Sequence, residues 1–336
     1  MKQIRIHGPG DVRLDEIPEP QVGPDDALLA VAACGICGSD VGYAKLGGVQ
    51  GPASEPMPIG HELAGTVVAL GERVRLRGIE IGTRVALHPG AAGFGLGNGG
   101  PEGGFTPRLL VRGASQGKSL FPIPDDMPFE IAALAEPLGV GMNAIDRVGV
   151  RPGERVAVLG AGPIGLSAIA TLRDRGIEDV VAIDFSERRL EVARKLGARD
   201  TIRPSGTTLW EALGRLHGRE SFYWMDVVGT EVFIEATGSG ALLEEVIGRA
   251  GPGARVSVVA LHRKPVPVDF MTVLMKQMTL QGAMEYPERF EEMLELLSRR
   301  DLGPMITHRF ALDDFAEAFD VAKSPDTGAK VMIRID

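Results

Sequence analysis

Val156-Ala-Val-Leu159-Gly160-Ala-Gly162-Pro163-Ile164-Gly165 is the stretch that decides the fold of this chain. Four apolar residues make a short buried-strand pattern, three glycines follow at once, and a helical stretch runs on to Arg175. A second apolar strand, Val180-Val-Ala-Ile183, ends on Asp184. Strand, glycine turn, helix, strand and acid, in that order, describe a dinucleotide-binding βαβ unit. Gly160 permits the tight turn, Gly162 admits a pyrophosphate to the backbone, and Gly165 lets helix and strand pack closely. Pro163 and Ile164 open the helix, whose free amides and positive end suit phosphates. Asp184 falls where the adenosine ribose lies. A carboxylate there accepts from both ribose hydroxyls and repels a 2′-phosphate, which favours NAD over NADP. Arg188 and Arg189 argue the other way, because either could pair with that phosphate.

Working outward, the C-terminal side continues the pattern. Val232–Ala236, Arg255–Ala260 and Met278–Leu280 read as strands separated by helices such as Ala241–Gly248. Strands alternating with helices specify an α/β domain with a doubly wound parallel sheet. Residues 1–145 differ. Short apolar runs (Ala27–Ala33, Leu63–Leu70, Arg84–Leu87) sit between Gly and Pro punctuation and read as a β-rich, partly closed sheet. The glycine-rich segment 89–104 reads as a loop with no apolar periodicity and nothing to pack. After Ala283 come a charged helix (Glu288–Ser298), a strand around Ile306–Phe310, a helix through Phe315–Ala322 and a last strand, Lys330–Ile335. That strand is expected to return to the first domain. The expected division is therefore 1–146 with 285–336, and 147–284.

Length and composition agree with two cores. The chain has 336 residues, 44% of them apolar and 24% charged, more than one core ordinarily accommodates. A net charge of −9 opposes nucleic acid or an anionic membrane as main partner, since both require a basic face. The N-terminus alternates like an opening strand and lacks the apolar core of a signal peptide. No run approaches the roughly 20 apolar residues that span a bilayer. Two cysteines cannot build a disulfide framework, and their scarcity suits a reducing compartment. A cytoplasmic protein is expected.

Both cysteines lie in Cys34-Gly-Ile-Cys37-Gly-Ser39-Asp40, and Gly60-His61-Glu62 follows. A thiolate, an imidazole and carboxylates ahead of a dinucleotide unit suggest metal-assisted hydride transfer. Such ligands suit zinc, and a catalytic zinc keeps one position open. With Glu136-Pro137, Gly103-Gly-Phe105, Glu235-Ala-Thr237-Gly238 and Ile306-Thr-His-Arg-Phe310 in register, the whole chain resembles the zinc-containing medium-chain dehydrogenases. Within them it is similar to the polyol, threonine and sugar dehydrogenases.

That resemblance implies a discontinuous GroES-like catalytic domain, a Rossmann domain and one catalytic zinc. It makes Cys37 and His61 ligands, Glu62 a ligand or a neighbour of the ligands, and Glu136 a third ligand or the partner of a metal-bound water. Ser39 becomes the hydroxyl that takes the substrate proton, Asp40 the acid that orients the imidazole, and Thr237 part of the cofactor site. Zinc would act as a Lewis acid on the alcohol oxygen while hydride goes to the nicotinamide. Cys34 is expected to be a small buried residue, not a ligand.

Three departures from the family stand out. No four-cysteine lobe is present, so no structural zinc is expected. Gly42 stands where many relatives have the histidine that ends the proton relay, which leaves water or Tyr43 as the exit. An insertion at 217–228, centred on Ser221-Phe-Tyr-Trp-Met-Asp226, is expected to be buried, against a partner subunit or beside the adenine end of the cofactor. His7, His88, His217 and His262 lie in no motif and read as solvent or core histidines; His308 receives no catalytic role. A neutral secondary alcohol or polyol is the expected substrate, with threonine or an aldose next. A carbonyl reductase using NADPH is a further alternative. A non-catalytic nucleotide-binding protein and a metal-dependent hydrolase are the rivals from other classes. A homodimer or homotetramer is expected.

Overall fold

Alternation of apolar and polar residues along the first strands builds antiparallel sheet, the arrangement that buries one face and wets the other. The computed structural model describes residues 1–335 apart from 94, 206–207 and 325–327. Its chain divides into two units, Met1–Glu136 with Arg289–Arg299 and Ile306–Asp336, and Pro137–Glu288 with Arg300–Met305.

In the first unit, β1 (Lys2–Gly8) pairs with β2 (Asp11–Glu16) on one edge and β4 (Met57–Pro58) on the other. The spine of the larger sheet is β3 (Ala27–Gly35), flanked along its length by β5 (Glu62–Leu70). Its opposite edge is shared: β7 (Arg108–Val111) covers Ala27–Ala30 and the last strand covers Ala33–Gly35. Beyond β5 lie β6 (Arg84–Leu87) and β8 (Leu120–Pro122). Helix α1 (Gly38–Leu46) follows β3 closely, and the short α2 (Phe129–Ala132) follows β8.

The reading of 89–104 as having nothing to pack is corrected here. Ala92 and Leu96 are each 1% exposed and belong to the core of this unit. Positive φ at Gly95 and Gly97 lets the chain fold back on itself, and the Gly97 amide donates to the Glu102 carbonyl at 2.7 Å. A Cβ on Gly97 would lie 2.3 Å from the Gly60 carbonyl oxygen, so only glycine permits this approach.

Helix α3 (Ala135–Val148) carries the chain across the division, which falls at Glu136/Pro137, ahead of the 146/147 expected from sequence. The second unit is the expected parallel sheet. Its strands are β9 (Val156–Leu159), β10 (Val180–Ile183), β11 (Asp200–Ile202), β14 (Val232–Glu235), β15 (Arg255–Val258) and β16 (Thr279–Gly282). Their order is β11-β10-β9-β14-β15-β16, so the winding direction reverses between β9 and β14. Helices α4 (Pro163–Asp174), α5 (Glu187–Leu196), α6 (Thr208–His217), α7 (Gly240–Arg249) and α8 (Phe270–Lys276) occupy the connections. Every residue of β9, β10 and β14 is buried, as continuous apolar strands of a two-sided parallel sheet must be.

The 217–228 segment is a hairpin of β12 (Arg219–Phe222) and β13 (Met225–Val228). Within the single chain its tip is open, with Tyr223 and Trp224 73% and 79% exposed, so the burial expected of it would have to come from a partner subunit or the cofactor. After the second unit come α9 (Glu291–Arg299), β17 (Ile306–Ala311), α10 (Phe315–Lys323) and β18 (Lys330–Arg334). The final strand does lie against β3, antiparallel to it and parallel to β17.

Candidate active site

Two local devices bring the ligand-bearing residues together in the first unit. Cys37 occupies the N-cap of α1 in extended conformation, and Asp40, in the first turn, reaches back to accept from its amide at 2.9 Å. The other oxygen of Asp40 accepts from the Gly60 amide at 3.4 Å. Asp40, fully buried, thus ties the cysteine loop to the loop before His61. Gly60 has φ of +96°, and a Cβ there would lie 2.7 Å from the Phe105 ring. Only glycine can make that turn, and the turn delivers His61 and Glu62 to the start of β5.

The Cys37 sulfur and one atom each from His61 and Glu62 lie within 4.8 Å of one another. A tetrahedral zinc with bonds of about 2.0–2.3 Å holds its ligand atoms roughly 3.3–3.8 Å apart. A modest contraction therefore closes the group around an ion. Two polar atoms beside it, Ser39 Oγ and His61 Nδ1, are buried without a hydrogen-bond partner. Such orphans are costly unless a bound group satisfies them. The donor set and the orphaned atoms fit zinc.

Asp40 Oδ1 stands 3.8 Å from His61 Nδ1, an ion-pair distance and not a hydrogen bond. The orienting role expected of Asp40 is therefore exerted on the two backbone loops more directly than on the ring. Burial opposes charge on His61, yet the Cys37 hydrogen bond and the charges of Cys37, Asp40 and Glu136 hold its pKa well above the usual value. Burial raises the pKa of Asp40, opposed by His61. Cys34, wholly buried, has its thiol pushed well up by desolvation and points among core residues, as a non-ligand should. Glu136 is buried in the first turn of α3 and lies outside the three-residue group; its charge is felt by His61 and Lys330.

Lys330 is the residue that sequence reasoning missed. Its ammonium donates to both Glu62 oxygens, at 2.6 and 2.7 Å, and to the Ile36 carbonyl at 3.1 Å. All three donors are used, and both side chains are buried. Burial alone would depress the pKa of Lys330; the Glu62 charge, followed by that of Cys37, carries it above its ordinary value. Gly35 makes room, since a Cβ there would sit 2.2 Å from Glu62 Oε2. The signal in the sequence was faint: a lone charge opening the otherwise apolar run Val331-Met-Ile333.

The second unit holds the glycine turn. Gly160 has φ of +94°, and a Cβ on Gly165 would collide with the Gly160 carbonyl oxygen at 1.8 Å. A Cβ on Gly162 would meet nothing within 4 Å, so open space lies where the fingerprint calls for pyrophosphate. Pro163 is the first residue of α4, with Ile164 next. Asp184 accepts from the amides of Ala161 and Ser186, each at 2.8 Å, which binds the acid to the glycine loop. Arg189 Nη1 stands 3.9 Å from Asp184 Oδ2. Thr237 lies beside the turn, its methyl 3.0 Å from a Cβ built on Gly160, and its amide donates to Glu235 at 2.8 Å. These features fit a dinucleotide.

A thiolate–imidazole–carboxylate group in one unit and a dinucleotide turn in the other define a metal-assisted, nicotinamide-dependent oxidoreductase. Known proteins agree. Residues 23–125 match the alcohol dehydrogenase GroES-like domain and residues 163–299 the zinc-binding dehydrogenase domain. Bovine (Bos taurus) sorbitol dehydrogenase is 34% identical over 98% of this chain and 95% of its own length; the mouse (Mus musculus) enzyme is 33% identical over the same shares. Among solved structures, 2R,3R-butanediol dehydrogenase from Bacillus subtilis superposes with a TM-score of 0.84 at 27% identity, covering 100% of this chain and 99% of its own. Galactitol-1-phosphate dehydrogenase from Escherichia coli gives 0.82 at 27%, over 99% of this chain and 100% of its own. The chain belongs to the zinc-containing medium-chain dehydrogenase family and is an oxidoreductase using zinc and NAD(P).

Proposed function

We propose that this enzyme oxidises a secondary alcohol of a neutral polyol to the ketone with NAD, in the cytoplasm, as a homo-oligomer. The observation that carries the reading is the Cys37, His61 and Glu62 group, with sorbitol dehydrogenase relatives spanning nearly the whole chain. When bound, zinc supplies Lewis acidity to the alcohol oxygen and the dinucleotide supplies a hydride acceptor. Cys37 and His61 hold the metal, and Glu62 joins them or remains on Lys330. Ser39 Oγ, buried and unpartnered, is placed to receive the alcohol proton. Asp40 keeps the two ligand loops in register. Glu136 faces the same charges and is the candidate to steady a water there.

With Gly42 in place of a relay histidine, Tyr43 is the side chain assigned to pass a proton on. Its hydroxyl donates to Asn98 at 3.1 Å, in the glycine-rich loop. The preference for NAD rests on Asp184. NADP is the second reading, favoured by Arg189 beside that acid. No helix among the described residues is long and apolar enough to cross a membrane.

The test is a panel of polyols, threonine and aldoses with NAD and NADP, run on zinc-replete and chelated enzyme. Polyol oxidation with NAD that disappears on chelation and returns with zinc is the expected result. Activity indifferent to chelation would overturn the zinc role. Preference for NADP, or for threonine, would replace the cofactor or substrate assignment.

A further inference from the structure

The winding reversal between β9 and β14 assigns the halves of a dinucleotide to opposite sides of the second unit's sheet. Asp184 directly follows β10 and claims the adenosine ribose, and the pyrophosphate falls at the start of α4. The other nucleoside must then extend over the carboxyl ends of β14 and β15. Those two ends carry a linked pair of side chains. Glu235 is the last residue of β14 and is 0% exposed. Its Oε1 accepts from the amides of Thr237 and Gly238, at 2.8 and 2.9 Å, and from the Thr237 hydroxyl. Its Oε2 lies 2.8 Å from Nε2 of His262, in the segment after β15.

Capping the Thr237-Gly238 turn requires only one carboxylate oxygen. The second is spent on the imidazole of the neighbouring loop, and it sets that ring's tautomer. With Nε2–H donating to Glu235, the neutral ring presents Nδ1 as a lone-pair acceptor. The His262 side chain is 13% exposed, and among the described residues Nδ1 has no partner. An acceptor backed by a buried carboxylate repels phosphate and selects a neutral donor. The nicotinamide nucleoside carries two kinds, the carboxamide N–H and the ribose hydroxyls.

We propose that His262 is a binding residue for the nicotinamide nucleoside half of the cofactor, accepting a hydrogen bond through Nδ1, with Glu235 as the positioning residue that fixes its tautomer. This rests on the dinucleotide reading of the glycine turn.

Calorimetric titration of the purified protein with ADP, ADP-ribose and NAD tests it without reference to turnover. His262→Ala should weaken NAD binding about three- to tenfold, the loss of one hydrogen bond, and leave ADP unchanged. Loss on NAD alone identifies the carboxamide as donor; loss on both NAD and ADP-ribose identifies the ribose. Glu235→Gln keeps an acceptor for the Thr237 turn but donates an N–H to His262 Nε2, which converts Nδ1 into a donor. It should reproduce the loss with the imidazole still present, whereas His262→Asn, which retains an acceptor, should recover part of it. Variants that bind NAD like the wild type, or lose ADP equally, would overturn the proposal. Wild-type protein that binds neither ADP nor NAD would overturn the dinucleotide reading and this proposal with it.

Discussion

Lys330 and Glu62 make the metal site a matter of choice for one carboxylate. Removing one partner of a buried ion pair strands the other, a cost of about 3–5 kcal/mol. In Lys330→Met that cost falls on the metal-free protein, because a zinc ion would satisfy the Glu62 carboxylate that the lysine no longer holds. The zinc-free variant should melt well below wild type, the zinc-loaded one much closer to it, and competition with a chelating dye should show tighter zinc binding. Equal destabilisation with and without zinc would reduce Lys330 to core filling. A second buried lysine behaves oppositely. Lys276 donates to the Ile247 and Gly248 carbonyls at the end of α7, and burial, assisted by the Arg249 charge, lowers its pKa to about 8. The unfolded chain then binds more protons between pH 8 and the ordinary lysine range near 10.5, so stability gains from this group as pH rises through that window. Denaturant midpoints of wild type, compared with those of Lys276→Met, should improve between pH 8 and 10; a constant difference would contradict the shift.

Elements show where sequence patterns are sufficient and where they fail. The βαβ unit was legible because its constraints are local: an apolar strand, a glycine turn and an acid lie within one span of chain, and β9, β10, Gly160 and Asp184 stand where that span placed them. Cys37, His61 and Glu62 were legible for a related reason, since Gly60 and Asp40 shape their loops from nearby. Lys330 was not, because its meeting with Glu62 depends on β18 and β5 flanking the same end of β3, a pairing no local pattern encodes. Glu235 and His262 escaped for the same reason, lying on neighbouring strands' ends. The aromatic hairpin is a different case: its apolar weight calls for cover by a partner subunit or the cofactor, and within the single chain Tyr223 and Trp224 form an exposed turn. Tyr223 has φ of +54°, a left-handed conformation that costs a side chain roughly 1–2 kcal/mol. Tyr223→Gly should therefore raise the unfolding free energy by about 1 kcal/mol in a denaturant titration; a loss would mean that the ring's contacts with Phe222 and Trp224 outweigh the strain. Trp210 and Trp224 are the only tryptophans, so Trp210→Phe isolates the tip. Its fluorescence should be readily quenched by acrylamide, and protection would revive burial against a second subunit.

At the scale of the whole molecule, the return of the chain to its first unit through β17 and β18 was anticipated, and so was the change from antiparallel to parallel sheet. What the sequence did not locate is the surface through which copies of the chain would meet. In the described residues β16 pairs only with β15, which leaves one edge of the parallel sheet with open backbone donors and acceptors. The helix leading into it, α8, exposes Phe270, Met271 and Leu274 at 72%, 65% and 71%. An open strand edge would invite uncontrolled pairing, and a run of exposed apolar side chains beside it is unfavourable in water unless both are covered. A second copy related by a two-fold axis can cover both at once, because the same edge and the same helix meet their own images. Met271→Glu with Leu274→Glu should therefore shift the protein toward monomer in light scattering while leaving zinc content unchanged, as neither residue belongs to the metal group. Because a dimer's stability includes the free energy of association, wild-type melting temperature should rise with protein concentration and that of the double variant should not. An unchanged molar mass in the variant would move the interface elsewhere, and the exposed Tyr223–Trp224 tip would be the next surface to substitute.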